Sequence, residues 1–252
     1  MAATMWMAHG AAIHTIATGG IGGVHRGESG DESADLVALA RWPVAVVCSG
    51  VKAVLDLPRT RERLETLGVP VLGLMTPDLP AFYRRSSGLP VDHEFATVDE
   101  VARAIDVHWR LGGAGVVVAH PVPAEDEMPR DLYESAITRA VEEAAARRLA
   151  GRGVTPFLLE RMRELTGGKS LVVNRALLRA NAAAAARLAA SLAPRTDAFL
   201  RVDDKCRHSS ADCPRSSASP CRPLPTPATL RTDSWLGPWR AATPATCPGH
   251  GS

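Results

Sequence analysis

PVAVVCSGVK, residues 43–52, is the stretch on which the fold turns. From Pro43 to Cys48 it is apolar without alternation, as a strand buried on both faces must be, and such strands belong to parallel sheets covered by helices. Two runs downstream have the same character, Val69 to Leu74 (VPVLGL) and Ala114 to Ala119 (AGVVVA). A fourth, Ile13 to Thr18 (IHTIAT), leads into a glycine cluster. Between the runs lie amphipathic segments of helical length: Ser33 to Arg41, Ala53 to Leu67, Val98 to Leu111 and Asp131 to Leu149. Strand followed by helix, repeated, predicts a doubly wound α/β fold with a mostly parallel sheet. After Gly153 two helical segments, Thr155 to Leu165 and Ser170 to Leu192, follow with no strand between them, which predicts a helical C-terminal cap.

Outside this body the character changes. From about Arg195, Pro, Ser, Thr, Arg and Cys dominate, and a stretch such as CRHSSADCPRSSASPCRPLPTP lacks the apolar surface to offset ordering entropy. The expected division is therefore a domain over 1–194 and a disordered tail over 195–252. The 29 basic and 27 acidic residues are spread along the chain, so no electrostatic footprint for nucleic acid or membrane stands out. MAATMWMAHGAAIHT has no basic region followed by a long apolar core, and a cytoplasmic location is the default expectation. Of the five cysteines only Cys48 precedes residue 206, which excludes a disulfide framework for the body.

Three clusters could carry chemistry. Thr18-Gly-Gly-Ile-Gly-Gly-Val-His25-Arg-Gly27 follows a predicted strand. Its glycines could let backbone N–H groups approach an anion, with Thr18, His25 and Arg26 as side-chain donors, or could form a tight turn. In Asp31-Glu-Ser33-Ala-Asp35 two carboxylates four apart share a face if a helix begins near Asp31, and could hold a hard cation. N-capping by Asp31 or Ser33 is the simpler reading. Lys52 is one of three lysines in the chain, the others being Lys169 and Lys205, and it follows a buried strand where α/β sheets place ligands. Partly removed from water, it would more readily present the neutral amine that attacks a carbonyl; alone, it could equally run out to solvent. Residues 81–88 (AFYRRSSG) could cover a substrate or merely connect elements, and His120 is expected to be a hydrogen-bonded structural residue. Asn174 and Asn181, seven apart on one predicted helix, could reach a ligand or bond between helices.

Taken in order, TGGIGGVHRG, the D-x-S-A-D-L element, PVAVVCSGVK-x-x-LD, AFYRRSSG, PVPAED, VTPFLL and LTGGKSL-x-x-N resemble the pseudouridine-5′-phosphate glycosidases, the group that includes indigoidine synthase A-like proteins. The resemblance implies a three-layer α/β/α enzyme, a homotrimer dependent on manganese (Mn2+), that cleaves pseudouridine 5′-phosphate reversibly to uracil and ribose 5-phosphate. It implies Lys52 as the Schiff-base nucleophile, Asp31 as the metal-bound carboxylate, and Ser33, Ala34 and Asp35 as substrate contacts. Thr18 and His25 would serve the phosphate side and Asn174 would reach in from the cap. A carbon leaving group needs more than two carboxylates, and an iminium between Lys52 and C1′ of the opened ribose would provide the electron sink. Against the family pattern, the chain lacks an earlier segment that carries a glutamate proton donor and a substrate-contacting lysine, and His120 stands where asparagine is common. An N-terminally shortened chain is therefore expected, with a catalytically inactive phosphate-binding remnant and a Schiff-base aldolase on another phosphosugar as the alternative readings.

Overall fold

The computed structural model describes residues 1–26, 30–147, 149 and 153–208, without the side chains of Thr155 and residues 194–208. Five strands form one sheet in the order β1 (Thr15–Ala17), β3 (Ala45–Cys48), β7 (Val116–Ala119), β5 (Val71–Leu74) and β6 (His93–Phe95), and every neighbouring pair is parallel. All four expected apolar runs are strands. A separate antiparallel pair joins β2 (Val24–His25) to β4 (Leu55–Asp56).

Because β3 and β7 are buried along their whole length, their side chains divide between two cores. Val46, Cys48, Val117 and Ala119 pack with α1 (Ala2–Gly10), α2 (Ala34–Arg41), α3 (Leu57–Thr66), α5 (Arg130–Ala146) and α6 (Val154–Leu165). Ala45, Val47, Val116 and Val118 face α4 (Val98–Arg110) and the Ala184–Leu192 part of α7 (Lys169–His208). These are the three layers of an α/β/α sandwich, with each buried valine contributing roughly 1.5–3 kcal/mol. Val173 and Leu177 of α7 belong to the first core and Ala184 to the second, so this helix passes from one face of the sheet to the other.

Helix starts follow local capping. Thr97 and Glu100 form a reciprocal capping box at α4. Asp56 accepts the Arg59 N–H at 3.0 Å and Pro58 lies in the first turn, so α3 begins at Leu57 and not at Ala53. Four elements were not foreseen: α1, the two-residue strands β2 and β4, and β6, an edge strand whose His93 and Glu94 are exposed. Helix α7 continues past Leu192 to His208, a stretch from Lys169 without any glycine. Part of the segment expected to be disordered thus has helical backbone, and residues 209–252 lie outside the described residues. Among the described residues no helix is long and apolar enough to cross a membrane.

Candidate active site at the carboxyl edge of the sheet

Thr18, Ser49 and His120 each stand one residue beyond the end of a parallel strand, β1, β3 and β7 respectively. Asn181 of α7, fully buried, connects all three. Its Nδ2 donates to the Thr18 carbonyl at 2.9 Å and to Ser49 Oγ at 3.1 Å, and its Oδ1 lies 3.0 Å from His120 Nδ1. A carbonyl can only accept, so the Asn181 amide must turn its NH2 towards Thr18 and its oxygen towards His120. His120 therefore carries its proton on Nδ1. Burial, more than any other influence, holds this imidazole below its ordinary value, despite the opposing hydrogen bond that it donates to Asn181. His120 is the hydrogen-bonded structural residue the sequence led us to expect. Cys48, immediately before Ser49, is a buried free thiol that desolvation pushes up to about 12.

The glycine segment continues the pairing of β1 with β3 past the strands themselves. Ser49 donates its N–H to the Gly19 carbonyl at 2.9 Å, Ile21 to Gly50 at 2.9 Å, and Lys52 to Ile21 at 3.1 Å. The Ile21 and Gly22 amides are thereby committed within the protein, the latter to Asp35 Oδ2 at 2.9 Å, and the Val24 amide is bonded to Thr60 Oγ1 at 2.9 Å. None of the four glycines from 19 to 23 has a positive φ. What they permit is close approach: a Cβ on Gly20 would stand 2.7 Å from the Phe82 ring, one on Gly22 2.1 Å from Ser33 Oγ, and one on Gly23 2.3 Å from Thr60 Oγ1. Phe82 is itself held at φ 62, a rare conformation for an aromatic residue, with its N–H bonded to the Ser49 carbonyl at 3.0 Å. Ala81, Phe82 and Tyr83 are buried, so the start of the 81–88 stretch is packed against the site and is no mere surface connection.

The expected site residues fall into two groups. Lys52 is half-buried, pinned by its N–H to Ile21 and by its carbonyl, which accepts the Leu55 N–H at 3.0 Å. Thr18 is half-buried beside it along the sheet edge, and Asn174 lies over Gly19, its Oδ1 3.3 Å from where a Cβ there would sit. His25, Asp31, Ser33, Ala34 and Asp35 surround the β2–β4 pair, where His25 is opposite Leu55, three residues after Lys52. His25 Nε2 is 3.9 Å from the Asp31 carboxylate, which is 52% exposed. Ser33 is the N-cap of α2, accepting the Asp35 N–H at 3.3 Å, and Ala34 is the exposed first residue of that helix.

The shared helix face for Asp31 and Asp35 is not found. The helix begins at Ala34, leaving Asp31 in the connection before it. Asp35 is buried and turned inward, accepting the Ala2 N–H at 2.8 Å and the Gly22 N–H, with the Met1 amino group 3.3 Å away. Among the described residues no three His, Cys, Asp or Glu side chains gather as a metal cluster. A hard divalent ion that keeps most of its water shell still fits Asp31, whose exposed carboxylate has one imidazole beside it.

Two features go beyond the site that the sequence assigned. One is the Asn181 hub, whose only sequence signal was its spacing from Asn174. The other is a cavity of about 640 Å³ lined by Arg26, Asp56, Arg84, Arg130, Tyr133 and residues 86–89, among others. It adjoins the Lys52 loop, since the Tyr133 hydroxyl is 3.5 Å from the Ala53 carbonyl. Four separate segments build it; Arg26 and the 81–88 stretch were candidates in the sequence, whereas the segments around Asp56 and Tyr133 were not.

A covered parallel sheet with a lysine pinned at its carboxyl edge, overlain by a helix that carries asparagines, defines a three-layer α/β protein whose candidate site lies where such sheets take their ligands. The chain belongs to the indigoidine synthase A-like protein family, which it matches over residues 1–191. It is 54% identical over 195 residues to the pseudouridine-5′-phosphate glycosidase of Methylobacterium nodulans, covering 76% of this chain and 58% of that relative. It is 51% identical to the protein of the same name from Geobacillus kaustophilus, covering 76% of this chain and 65% of that one. The chain thus spans less than two thirds of the length of these curated relatives. Among solved structures it resembles the prealnumycin C-glycosynthase AlnA in complex with ribulose 5-phosphate, with a TM-score of 0.72, 34% identity, and coverage of 77% of this chain and 65% of that one.

Proposed function

We propose that this chain carries out the chemistry named for its relatives, the reversible cleavage of pseudouridine 5′-phosphate to uracil and ribose 5-phosphate, with Lys52 as nucleophile. The observation that carries the reading is the seating of Lys52: it is half-buried, at the carboxyl end of β3, with its backbone fixed to the glycine segment on one side and to Leu55 on the other. A nucleophile held in that way has its approach oriented before substrate arrives.

In this mechanism the neutral Lys52 Nζ bonds to C1′ as the C1′–O4′ bond breaks, O4′ takes up a proton and the nitrogen gives one up, which restores its lone pair. The nitrogen lone pair then forms the C=N bond while the bond from C1′ to the uracil ring breaks. The released pair passes into the ring, whose carbon takes a proton. Water adds to the iminium, freeing ribose 5-phosphate and regenerating the lysine. Thr18, His25 and Ser33 hold the sugar phosphate, Ala34 and Asp35 shape the wall beside it, and Asn174 approaches from the helical cap. A manganese ion held by Asp31 would supply positive charge that orients substrate oxygens. The reading also takes the assembly to be a cytoplasmic homotrimer, with the exposed Trp6, Met7 and Val37 on α1 and α2 as apolar surface available for association.

The test is to incubate the chain with pseudouridine 5′-phosphate and manganese and follow uracil absorbance, in parallel with borohydride reduction in the presence of ribose 5-phosphate. Uracil release together with a trapped adduct on Lys52 is the expected result. An adduct without release would leave a chain that retains only the lysine half of the chemistry, and neither would sink the proposal.

A further inference from the structure

The Asn181 amide is fully buried and bonded through both its nitrogen and its oxygen, yet no role in the chemistry has been given to it. Where its partners stand along the chain is what connects it to Lys52. Thr18 lies three residues before Ile21, whose carbonyl accepts the Lys52 N–H at 3.1 Å. Ser49 lies three residues before Lys52 itself. One amide therefore clamps together the two strand ends from which both sides of the Lys52 seat extend, and the seat is laced below that clamp by Ser49 to Gly19 and Ile21 to Gly50. The same helix rests on the glycine segment two turns earlier: Leu177 Cδ1 and Asn174 Oδ1 stand 3.2 and 3.3 Å from where a Cβ on Gly19 would be. Anchoring α7 at Asn181 thus also fixes Asn174 over Gly19. Few side chains could replace this amide. Aspartate would set an acceptor against the Thr18 carbonyl, and leucine would leave all three partners unpaired in a buried place.

We propose that Asn181 is a positioning residue for the Lys52 reaction: by clamping the ends of β1, β3 and β7 from α7, it aims the lysine and holds Asn174 over the glycine segment. The inference deepens the function proposed above and rests on it for the identity of the nucleophile. Asn181 acts through Thr18 and Ser49, so its loss leaves the groups that hold the sugar phosphate in place and shifts the attacking amine. A displacement of about 1 Å in a reacting group can cost on the order of 100-fold in rate. The effect belongs in the rate at saturation and not in the concentration needed to saturate.

The test measures borohydride trapping of the full chain over a range of ribose 5-phosphate concentrations, well below the melting temperature, in Asn181→Asp, Ser49→Ala and Ile105→Ala. Amide hydrogen exchange at Ile21 and Lys52 is followed in the same variants by NMR. Asn181→Asp should lower the maximal trapping rate about 10- to 100-fold and leave the half-saturating concentration unchanged. Ser49→Ala, which removes one of the three ties, should lower it less. Ile105→Ala truncates the other core, under α4, and should weaken the fold while trapping at the parent's rate. Exchange at Ile21 and Lys52 should accelerate in Asn181→Asp more than at the amides of β5. Equal slowing by Ile105→Ala, or trapping by Asn181→Asp at the parent's rate, would overturn the assignment: the imine would stand and the positioning role would fall. If the parent gives no adduct, the imine falls and exchange alone decides. Selective acceleration at Ile21 and Lys52 then keeps the clamp, and uniform acceleration sinks it. Should Asn181→Asp fail to fold, Ser49→Ala carries the same comparison with the same outcomes.

Discussion

The glycine segment from Thr18 to Val24 and the arginine-lined cavity both abut the Lys52 loop, and they are built in opposite ways. In the first, space is eliminated: side chains press on four glycines, and the amides of Ile21 and Gly22 are consumed by Gly50 and Asp35. In the second, space is kept open and long charged side chains reach into it from separate elements. Glycine density here marks close packing that fixes the Lys52 backbone, whereas the cavity keeps charged side chains at an open surface. If so, lesions in the segment should act on stability first, and lesions in the cavity on binding alone.

The largest effect should come from Gly50→Ala. Gly50 has φ 79, and a Cβ there would stand 1.8 Å from the Pro80 carbonyl oxygen, which is backbone and cannot swing aside. A loss of about 4 kcal/mol or more in denaturant unfolding is expected, in the range of severe core lesions. A variant as stable as the parent would show that the segment and its partner loop are looser than their contacts imply. Next is Asn181→Ala, which strands the Thr18 carbonyl, Ser49 Oγ and His120 Nδ1 in a buried place. About 3 kcal/mol is expected from those unpaired groups, measured the same way. Loss of less than about 1 kcal/mol, the scale of a single ordinary hydrogen bond, would mean that water or neighbouring groups replace the hub.

The contrast also explains what could be read from the chain and what could not. Strands β3, β5 and β7 were legible because burial along their whole length demands unbroken apolar runs, and the half-buried edge strand β1 because it leads into the glycine cluster. Lys52 was legible because lysine is scarce in this chain and sits at the end of one of those runs. Strand β6 was not, since an exposed edge places no apolar demand on His93 and Glu94. In the 31–35 element the simpler reading, capping, holds at Ser33; the shared face of Asp31 and Asp35 fails because a spacing of four implies a common face only inside a helix, and Ser33 starts that helix two residues after Asp31. Asn181 outranks Asn174 as a structural residue only because the sheet edge lies beneath it, which is a tertiary fact.

A smaller effect is expected from acid. Burial holds His14, His108 and His120 below the ordinary histidine value of 6.5. Between their folded values and 6.5 the unfolded chain binds more protons than the folded one, so stability rises with pH across that window. The contribution is complete above 6.5 and is lost as pH falls through the folded values. Around His120, the Arg85 and Arg187 charges also oppose protonation. His120→Asn removes one titrating group while keeping a donor for Asn181, and it should make the melting temperature less dependent on pH below 6.5. An unchanged slope would place the acid sensitivity elsewhere.

The smallest effect on stability, and the sharpest use of the comparison, is Arg26→Ala. Arg26 lies two residues beyond the glycine segment in sequence, and its exposed side chain lines the cavity. By the packing argument a Gly20→Ala change six residues earlier should cost about 1–3 kcal/mol as Phe82 is pushed from its place, whereas Arg26→Ala should stay within about 0.5 kcal/mol. Unfolding midpoints of the two variants, measured side by side, decide whether the boundary between a region built for packing and one built for charge falls between Val24 and Arg26. If Arg26→Ala proved the more damaging, the guanidinium would be part of the scaffold, and the boundary would lie beyond it.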